Sequence, residues 1–285
     1  MDNKKKPMIY FCATPIGNLE DISLRVLRIL KEVDVIAAED TRHSIKLLNH
    51  FNIKTPLTSY HQHNELTKGK YLMDLVREGK SIAIVSDAGM PGISDPGQEL
   101  IRRCIEEEIS FTLLPGANAA LTALVLSGLS TEAFAFEGFL SREKAIRKNQ
   151  IDRIKKESRT IILYESPNRV VGTLKELEEH LGNRQVALAR ELTKHYEEVW
   201  RGSIKKALEE FQNRQPKGEF VLVIEGLSQE EIAEAKRRRW ASFTIPEHLN
   251  YYMEQGYSKK DAIKKVAVDR NLPKREVYKY TIEDN

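Results

Sequence analysis

Cysteine is scarce in this sequence, because the 285 residues contain only Cys12 and Cys104. Two thiols are too few for a disulfide framework, and neither has a partner at the spacing of a metal site. We therefore expect a protein of a reducing, cytoplasmic compartment. Apolar residues make up 41% of the chain, which excludes a globally disordered protein.

The signature motifs of several large enzyme classes are also missing. No G-x-G-x-x-G follows the first apolar run and no G-x-x-x-x-G-K-[ST] occurs, which argues against a dinucleotide-binding domain of the usual kind and a P-loop NTPase. H-E-x-x-H, C-x-x-C and G-x-S-x-G are absent as well. His61 and His63 could bind a metal ion from one side of a strand, but they have no third ligand nearby, and we expect no metal.

Long uncharged runs are limited to one stretch of 23 residues, Ile109–Thr131. That length could cross a bilayer. Pro115 and Gly116 interrupt it, however, so the pattern predicts a buried strand over Ile109–Leu114, a turn, and a buried helix over Ala119–Leu126. The apolar part of the N-terminus lasts about six residues, which is too short for a signal peptide.

Charge is distributed unevenly, although the net value is only +3. Residues 236–285 hold twelve Lys and Arg against seven Asp and Glu, whereas the rest of the chain is slightly acidic. Such asymmetry is typical of contact with a polyanion. A solvated helical face is the alternative.

Apolar strands alternate with helices along most of the chain, which is typical of an α/β fold with a largely parallel sheet. The predicted strands are Met8–Ala13, Val35–Ala38, Ser81–Val85 and Ile109–Leu114, followed by Phe134–Leu140, Thr160–Tyr164, Val186–Ala189 and Phe220–Ile224. Predicted helices include Ser141–Lys156, residues 168–180, Ser258–Arg270 and Lys274–Thr281. We predict two α/β domains, at 1–126 and 127–228, and a linker with a small basic α-helical C-terminal domain at 229–285.

Small and acidic residues fill the loops that follow these strands. The loops are TPIGN (14–18), AEDTR (38–42), SDAGMPGISDPG (86–97), PGANAA (115–120) and ARELTK (189–194). Loops at strand ends leave backbone N–H groups available and let a ligand approach the backbone closely. Five such loops in succession favour a small-molecule site over turns that serve the fold alone.

Seven segments resemble a known family: ATPIGNLEDISLR (13–25), VIAAEDTR (35–42), VSDAGMPGISDPG (85–97), PGANAALTALVLSG (115–128), FEGFL (136–140), ARELTKHYEEVWRG (189–202) and KGEFVLVIEG (217–226). The family is the tetrapyrrole-methylase-like, class III group of S-adenosylmethionine (SAM) methyltransferases, and the branch is the one that acts on small-subunit ribosomal RNA. The resemblance covers essentially the whole chain. It implies two α/β domains of the tetrapyrrole methylase type with SAM in the cleft between them, and a homodimer. It also implies methyl transfer to the ribose 2′-oxygen of a cytidine in the decoding centre of 16S rRNA.

By position, the resemblance implies which residues hold SAM. They are Pro15, Ile16, Gly17, Asp87, Ala88, Gly89, Met90, Asn118, Ala119, Tyr164, Ala189, Arg190, Glu191, Lys217, Gly218 and Glu219. SAM carries a sulfonium cation, an amino group and a ribose diol, so acidic loops suit it. Asp87 is a natural acceptor for a ribose hydroxyl or the amino group, and capping of its own turn is the alternative.

Catalysis at a ribose hydroxyl benefits from a base or a cation, because the protonated hydroxyl is a weak nucleophile. The candidates are Glu39, Asp40, Glu191 and Lys194: a carboxylate could accept the proton, or a lysine of lowered pKa could act. Plain ion pairs, Glu39 with Arg42 and Glu191 with Lys194, are the alternative. The sequence does not single out the base.

Basic residues in several segments are candidates for RNA contact. They are Arg42, His43, Arg142, Lys144, Arg147, Lys148, Lys259, Lys260, Lys264, Lys265, Lys274 and Arg275, and Arg190 and Arg237–Arg239 could extend the contact. The tail is interpreted as a helix-turn-helix-type unit, with Val277 and Tyr278 among its inward-facing residues. Its contact with an RNA backbone would be sensitive to salt. A dimerisation or stability element is the alternative.

Two other functions stay open at this stage. One is methylation of a small tetrapyrrole on the same scaffold, against which the basic tail and the AEDTR and ARELTK loops argue. The other is a non-catalytic RNA- or ribosome-binding protein, against which the intact SDAG, PGANA and KGE loops argue.

Overall fold

The computed structural model describes residues 6–228, 230–232, 234 and 240–281. The chain forms two compact units, one of Met1–Ile154 with Arg159–Glu225 and the other of Lys155–Ser158 with Gly226–Asn285. Both α/β sheets lie in the first unit. The predicted domain limits at 126 and 228 stay a prediction.

The first sheet consists of five parallel strands in the order β3-β2-β4-β1-β5. The strands are β1 (Ile9–Cys12), β2 (Val35–Ala38), β3 (Leu57–Ser59), β4 (Ile82–Val85) and β5 (Phe111–Leu114), and the helices between them are α1 (Leu24–Glu32), α2 (Thr41–His50), α3 (Glu65–Arg77) and α4 (Gln98–Glu106). Side chains alternate across the sheet, so Tyr10 and Cys12 face one apolar cluster and Ile9 and Phe11 face another. The largely parallel α/β sheet is confirmed.

The second sheet is mixed, with the order β6-β7-β10-β8-β9. Its strands are β6 (Phe134–Phe139), β7 (Thr160–Glu165), β8 (Gln185–Arg190), β9 (Glu198–Ser203) and β10 (Phe220–Ile224), and its helices are α6 (Lys144–Ile154), α7 (Val170–Leu181) and α8 (Ile204–Phe211). β6 and β7 pair in parallel, whereas the other pairs are antiparallel. The helix predicted over Ser141–Lys156 is shorter in the structure, where α6 spans Lys144–Ile154. The sequence pattern did not predict β9 or α8.

The apolar helix α5 (Ala119–Ser127) covers one face of this sheet, and α6, α7 and α8 pack on the other. Ala120, Ala123 and Leu124 pack against residues such as Ile162 and Val223. The uncharged run of the sequence therefore becomes β5, a turn and α5, which confirms that prediction. Among the residues that the structure describes, no helix combines the length and the apolar composition that a bilayer crossing requires.

The C-terminal unit includes, among its described residues, the helices α9 (Ile245–Glu254), α10 (Lys259–Arg270) and α11 (Lys274–Lys279). Ser258 caps α10 by accepting the N–H of Asp261, as its sequence predicts. The core includes Leu249, Val266 and Val277. Tyr278 was predicted to pack inward, but it is 55% exposed, because Val277 takes the buried position of this short helix.

Candidate active site

Three loops at the carboxyl ends of the first sheet are tied together by close contacts. Thr14 and Gly89 exchange two backbone hydrogen bonds, with N···O distances of 2.8 and 3.1 Å. The Thr14 hydroxyl also donates to the carbonyl of Ser86 at 3.2 Å. Gly116 approaches Ala13 so closely that a Cβ on it would lie 2.8 Å from the Ala13 Cβ. The loops therefore form one continuous surface.

A first cavity of about 370 Å³ lies between this loop surface and the second sheet. Its lining includes nine of the predicted cofactor residues: Ile16, Ala88, Gly89, Met90, Asn118, Ala119, Tyr164, Ala189 and Glu219. The structure adds Ile93, Ser94, Asp95, Phe139, Glu165, Ser166, Pro167, Leu192, Phe220 and Val221. Residues from both sheets thus meet around one mainly apolar space of ligand size.

Secondary structure fixes two side chains of this cavity. Asn118 is the N-cap of α5: its Oδ1 accepts the Leu121 N–H at 2.9 Å, and its Nδ2 donates to the Met90 sulfur at 3.5 Å. Tyr164 is the penultimate residue of β7, and its ring makes edge contacts with Phe136 and Phe139. Contacts within the protein therefore hold both side chains in place.

A second cavity of about 420 Å³ adjoins the first, and Ile16, Ala88 and Glu219 line both. The other residues of its lining are Thr14, Pro15, Gly17, Leu19, His43, Ser44, Lys46, Leu47, His50, Ser86, Asp87 and Lys194. Pro15, Gly17 and Asp87 thus lie at this second cavity, whereas the sequence assigned them to SAM together with the first group. Lys46 and His50 were not predicted.

Lys194 is the best-anchored cation at the second cavity. Its Nζ donates to Glu191 Oε1 at 2.9 Å and to Glu219 Oε2 at 2.8 Å. Burial lowers the pKa of Lys194, but the hydrogen bonds with Glu219 and Glu191 outweigh it and raise the pKa above its usual value. Lys194 is therefore an ammonium ion at neutral pH, and it lacks the lowered pKa that a lysine base requires.

Glu191 supports this lysine from outside the two cavities. Burial raises the pKa of Glu191, but hydrogen bonds from the Glu219 N–H and from Lys194 lower it overall, so the carboxyl is ionised. Gly218, at φ +82°, leaves room for it, since a Cβ there would lie 2.4 Å from the Glu191 Cγ. The Glu191–Lys194 ion pair that the sequence suggested is present.

The loop that carries Lys194 also joins the two sheets. Glu191 and Thr193 both have left-handed backbones, at φ 50° and 66°, which is uncommon for residues other than glycine. The Thr193 hydroxyl accepts the N–H of Asn18 at 3.0 Å. Strained residues persist where their surroundings hold them, often at functional sites.

The two carboxylates of the AEDTR loop behave differently. Asp40 caps α2 and pairs with Arg42 at 2.7 Å, and the Arg42 hydrogen bond lowers the pKa of Asp40 to about 2. The ion pair at this helix start is therefore Asp40–Arg42 and not the suggested Glu39–Arg42. Glu39 has a buried Oε2 that finds no hydrogen-bond partner among the described residues, and its pKa is raised by burial and by Asp87. Neither side chain lines either cavity.

Asp95 lines the first cavity but is not among the residues that the sequence predicts for the site. The segment SDPG at 94–97 repeats the pattern of SDAG at 86–89, which could have indicated Asp95. Burial, then Glu39 and Asp87, raise its pKa from 3.8 to about 7. The folded protein therefore binds more protons than the unfolded chain between these values, and the free energy of unfolding falls as pH rises from about 4 to about 7. For a fully buried carboxyl, a pKa shift of this size would change the free energy of unfolding by about 4 kcal/mol. Asp95 is only partly buried, so solvent screening reduces the expected change to about 1–2 kcal/mol.

We expect Asp95→Asn to remove this part of the pH dependence. Urea unfolding of wild type and variant at pH 5 and pH 8 measures it, and the variant should gain stability relative to wild type at the higher pH. Equal changes in the free energy of unfolding for both proteins would contradict the assignment.

The remaining sequence candidates are scattered. Arg142, Lys144 and Lys148 are exposed, whereas Arg147 donates to Glu176 and Thr173 and its side chain is 14% exposed. RNA contact by these residues stays a prediction. Arg190, near Glu198, and the exposed Lys217 line neither cavity.

In the C-terminal unit, Lys259, Lys260, Lys264, Lys274 and Arg275 are exposed, and Lys265 lies over the rings of Tyr252 and Tyr257. Arg237–Arg239 lie outside the described residues. Within the described part of the chain, no three His, Cys, Asp or Glu residues are placed to hold a metal ion.

Comparison with known proteins agrees with this geometry. Residues 8–208 match the family Tetrapyrrole (Corrin/Porphyrin) Methylases. The "Ribosomal RNA small subunit methyltransferase I" of Halalkalibacterium halodurans is 50% identical over 96% of this chain and 94% of its own length. The protein of that name from Bacillus subtilis is 48% identical over 95% and 92%.

A solved structure, cobalt precorrin-4 methyltransferase, has the same fold, with a TM-score of 0.61 at 16% identity over 79% of this chain and 97% of its own. The chain therefore belongs to the tetrapyrrole methylase family and, within it, to the ribosomal RNA small subunit methyltransferase I proteins.

Proposed function

We propose that this methyltransferase moves a methyl group from SAM to the ribose 2′-oxygen of a cytidine in 16S rRNA, in the decoding centre of the small ribosomal subunit. One observation carries the proposal: two cavities of ligand size meet at Ile16, Ala88 and Glu219, with Lys194 on the second one. A donor and an acceptor could thus lie side by side. The names of the relatives favour ribosomal RNA as the acceptor.

SAM fits the first cavity by its chemistry. The apolar walls and the Tyr164 ring suit an adenine, and Asp95 and Asn118 offer polar atoms to the ribose and the amino acid part. Gly89, at φ 79°, leaves the backbone open to close approach. SAM supplies an activated methyl group on its sulfonium, and the contribution of the chain is to position it.

The target nucleotide fits the second cavity. Asp87 and Glu219 line it as carboxylates that can accept the proton of a ribose hydroxyl, and Lys194 supplies a positive charge for the oxygen as its negative charge develops. Of the four catalytic candidates, Lys194 is the one that lines a cavity. We therefore assign it the electrostatic role, with Glu191 as the residue that positions it.

A homodimer is part of the same proposal. Leu121 and Val125 lie one turn apart on α5, and they are 46% and 72% exposed. An uncovered apolar strip of this kind is typical of a protein interface. Sedimentation of the full chain should give the mass of a dimer. From the proposed substrate we also infer a cytoplasmic location.

Methyl transfer to small ribosomal subunits that lack the modification tests the function. Purified protein is incubated with labelled SAM and either subunits or naked 16S rRNA, and the labelled nucleoside is identified after digestion. A labelled 2′-O-methylcytidine is the expected product. Transfer to neither substrate by protein that binds SAM would refute the proposal and favour a small-molecule acceptor.

A further inference from the structure

One face of α2 forms the rim of the second cavity. His43, Lys46, Leu47 and His50 recur at spacings of three, one and three residues, which places them on one side of a helix, and all four line the cavity. His43, Lys46 and His50 are exposed, while Ser44 is buried beneath them. At 1.5 Å per residue, this row spans about 10 Å.

Lys46 is not neutralised by its surroundings. Helices α1, α3, α4 and α10 pair basic side chains with acidic ones three or four residues away, as Arg28 does with Glu32 and Lys264 with Asp261. α2 has the sequence TRHSIKLLNH and contains no acidic residue. Lys46 forms no hydrogen bond or ion pair with any residue in the described part of the chain.

The side of the cavity that α2 forms is therefore basic, whereas the rest of its lining has a different character. Asp87 and the exposed Glu219 contribute carboxylates there, and Lys194 is already held by two carboxylates. An anion is disfavoured near these carboxylates and favoured at the rim. A nucleotide within an RNA strand matches this pattern, since its ribose and base are neutral and a phosphate lies on either side.

We propose that the His43, Lys46 and His50 edge of α2 binds the phosphates that flank the target nucleotide. This inference rests on the proposed function and extends it by giving the orientation of the substrate. The ribose points inward to Lys194, and the RNA backbone runs along α2. A lysine contact with phosphate acts as a point charge, so it contributes to binding and to register without reading the base.

The test is Lys46→Glu in the full chain, with small subunits as substrate. We expect KM for subunits to rise at least about tenfold while kcat changes less than about twofold, because a phosphate contact is equal in the ground and transition states. In a plot of log binding constant for subunits against log salt concentration, the slope should become less steep by about 0.7–0.9, the amount for one phosphate contact. Lys46→Arg should restore most of the affinity, and SAM binding should not change.

Lys54→Glu is the matched control, because Lys54 is exposed just beyond α2 and lines neither cavity. An equal rise of KM in this control would show a general charge effect and overturn the proposal. A wild-type KM and salt slope in Lys46→Glu would overturn it too, while leaving the methyl-transfer function intact. Wild-type protein that methylates no subunits at all would refute both.

Discussion

Replacement of Lys194 by methionine is expected to lower the rate of methyl transfer to small subunits by about 100-fold or more. The ammonium group of Lys194 lies at the second cavity within 2.9 Å of two carboxylates, which keep it charged and fixed. Removing one such preorganised donor from an oxyanion site typically costs 10²–10³ in kcat. Methionine keeps the length and the apolar stem of the side chain, so the loss isolates the charge.

Lys194 lines the second cavity and not the first, so the affinity for SAM should stay within about threefold of wild type. Single-turnover methyl transfer with saturating SAM measures the rate, and calorimetric titration measures the affinity. Lys217→Met is the control, because Lys217 is an exposed lysine near the same cleft that lines neither cavity. A Lys194→Met variant with more than half the wild-type rate would contradict the electrostatic role.

Strand and loop positions followed from the sequence because β1, β2, β4 and β5 are short apolar runs that end in glycine, proline or acidic residues. The loops could therefore be assigned to one edge of a sheet. Their division between two cavities could not, since Asp87 and Ala88 are adjacent in sequence but only Ala88 lines the first cavity. Which side of a loop faces which space depends on contacts such as Thr14 with Gly89.

Elements of mixed composition were harder to predict. β9 has the sequence EVWRGS, whose polar residues obscure a strand at the edge of the sheet. The sequence pattern does not predict α2 as a helix, so it does not place Lys46 and His50 on one helix face with His43. Arg42 and His43 are candidates only as single residues. Charge alone makes Arg147 an RNA candidate, because its partners Glu176 and Thr173 on α7 come into contact with it only when the two helices pack.

Glycine at position 17 is expected to be essential for the junction between the two sheets. A Cβ on Gly17 would lie 2.4 Å from the Lys194 Cγ, 2.8 Å from the Thr193 Oγ1 and 2.9 Å from the Leu192 carbonyl oxygen. The Lys194 side chain could move aside, but the Leu192 carbonyl belongs to the backbone of the strained loop. Gly17→Ala must therefore displace residues 192–194, which lowers the free energy of unfolding by about 1–3 kcal/mol.

The same displacement moves Lys194 away from the second cavity, so activity should fall more steeply than stability. A shift of about 1 Å at a reacting group can cost 100-fold in rate, and we expect a loss of about 10- to 100-fold at a temperature where the variant stays folded. Gly172→Ala is the matched control: beyond its chain neighbours and its own helix backbone, no described residue has an atom within 4 Å of its Cβ position, on an exposed side of α7. In a helix that change should stabilise by up to about 1 kcal/mol. Urea unfolding and subunit methylation are measured on both variants. Wild-type activity in Gly17→Ala would contradict the prediction, because it would show that the loop adjusts without moving Lys194.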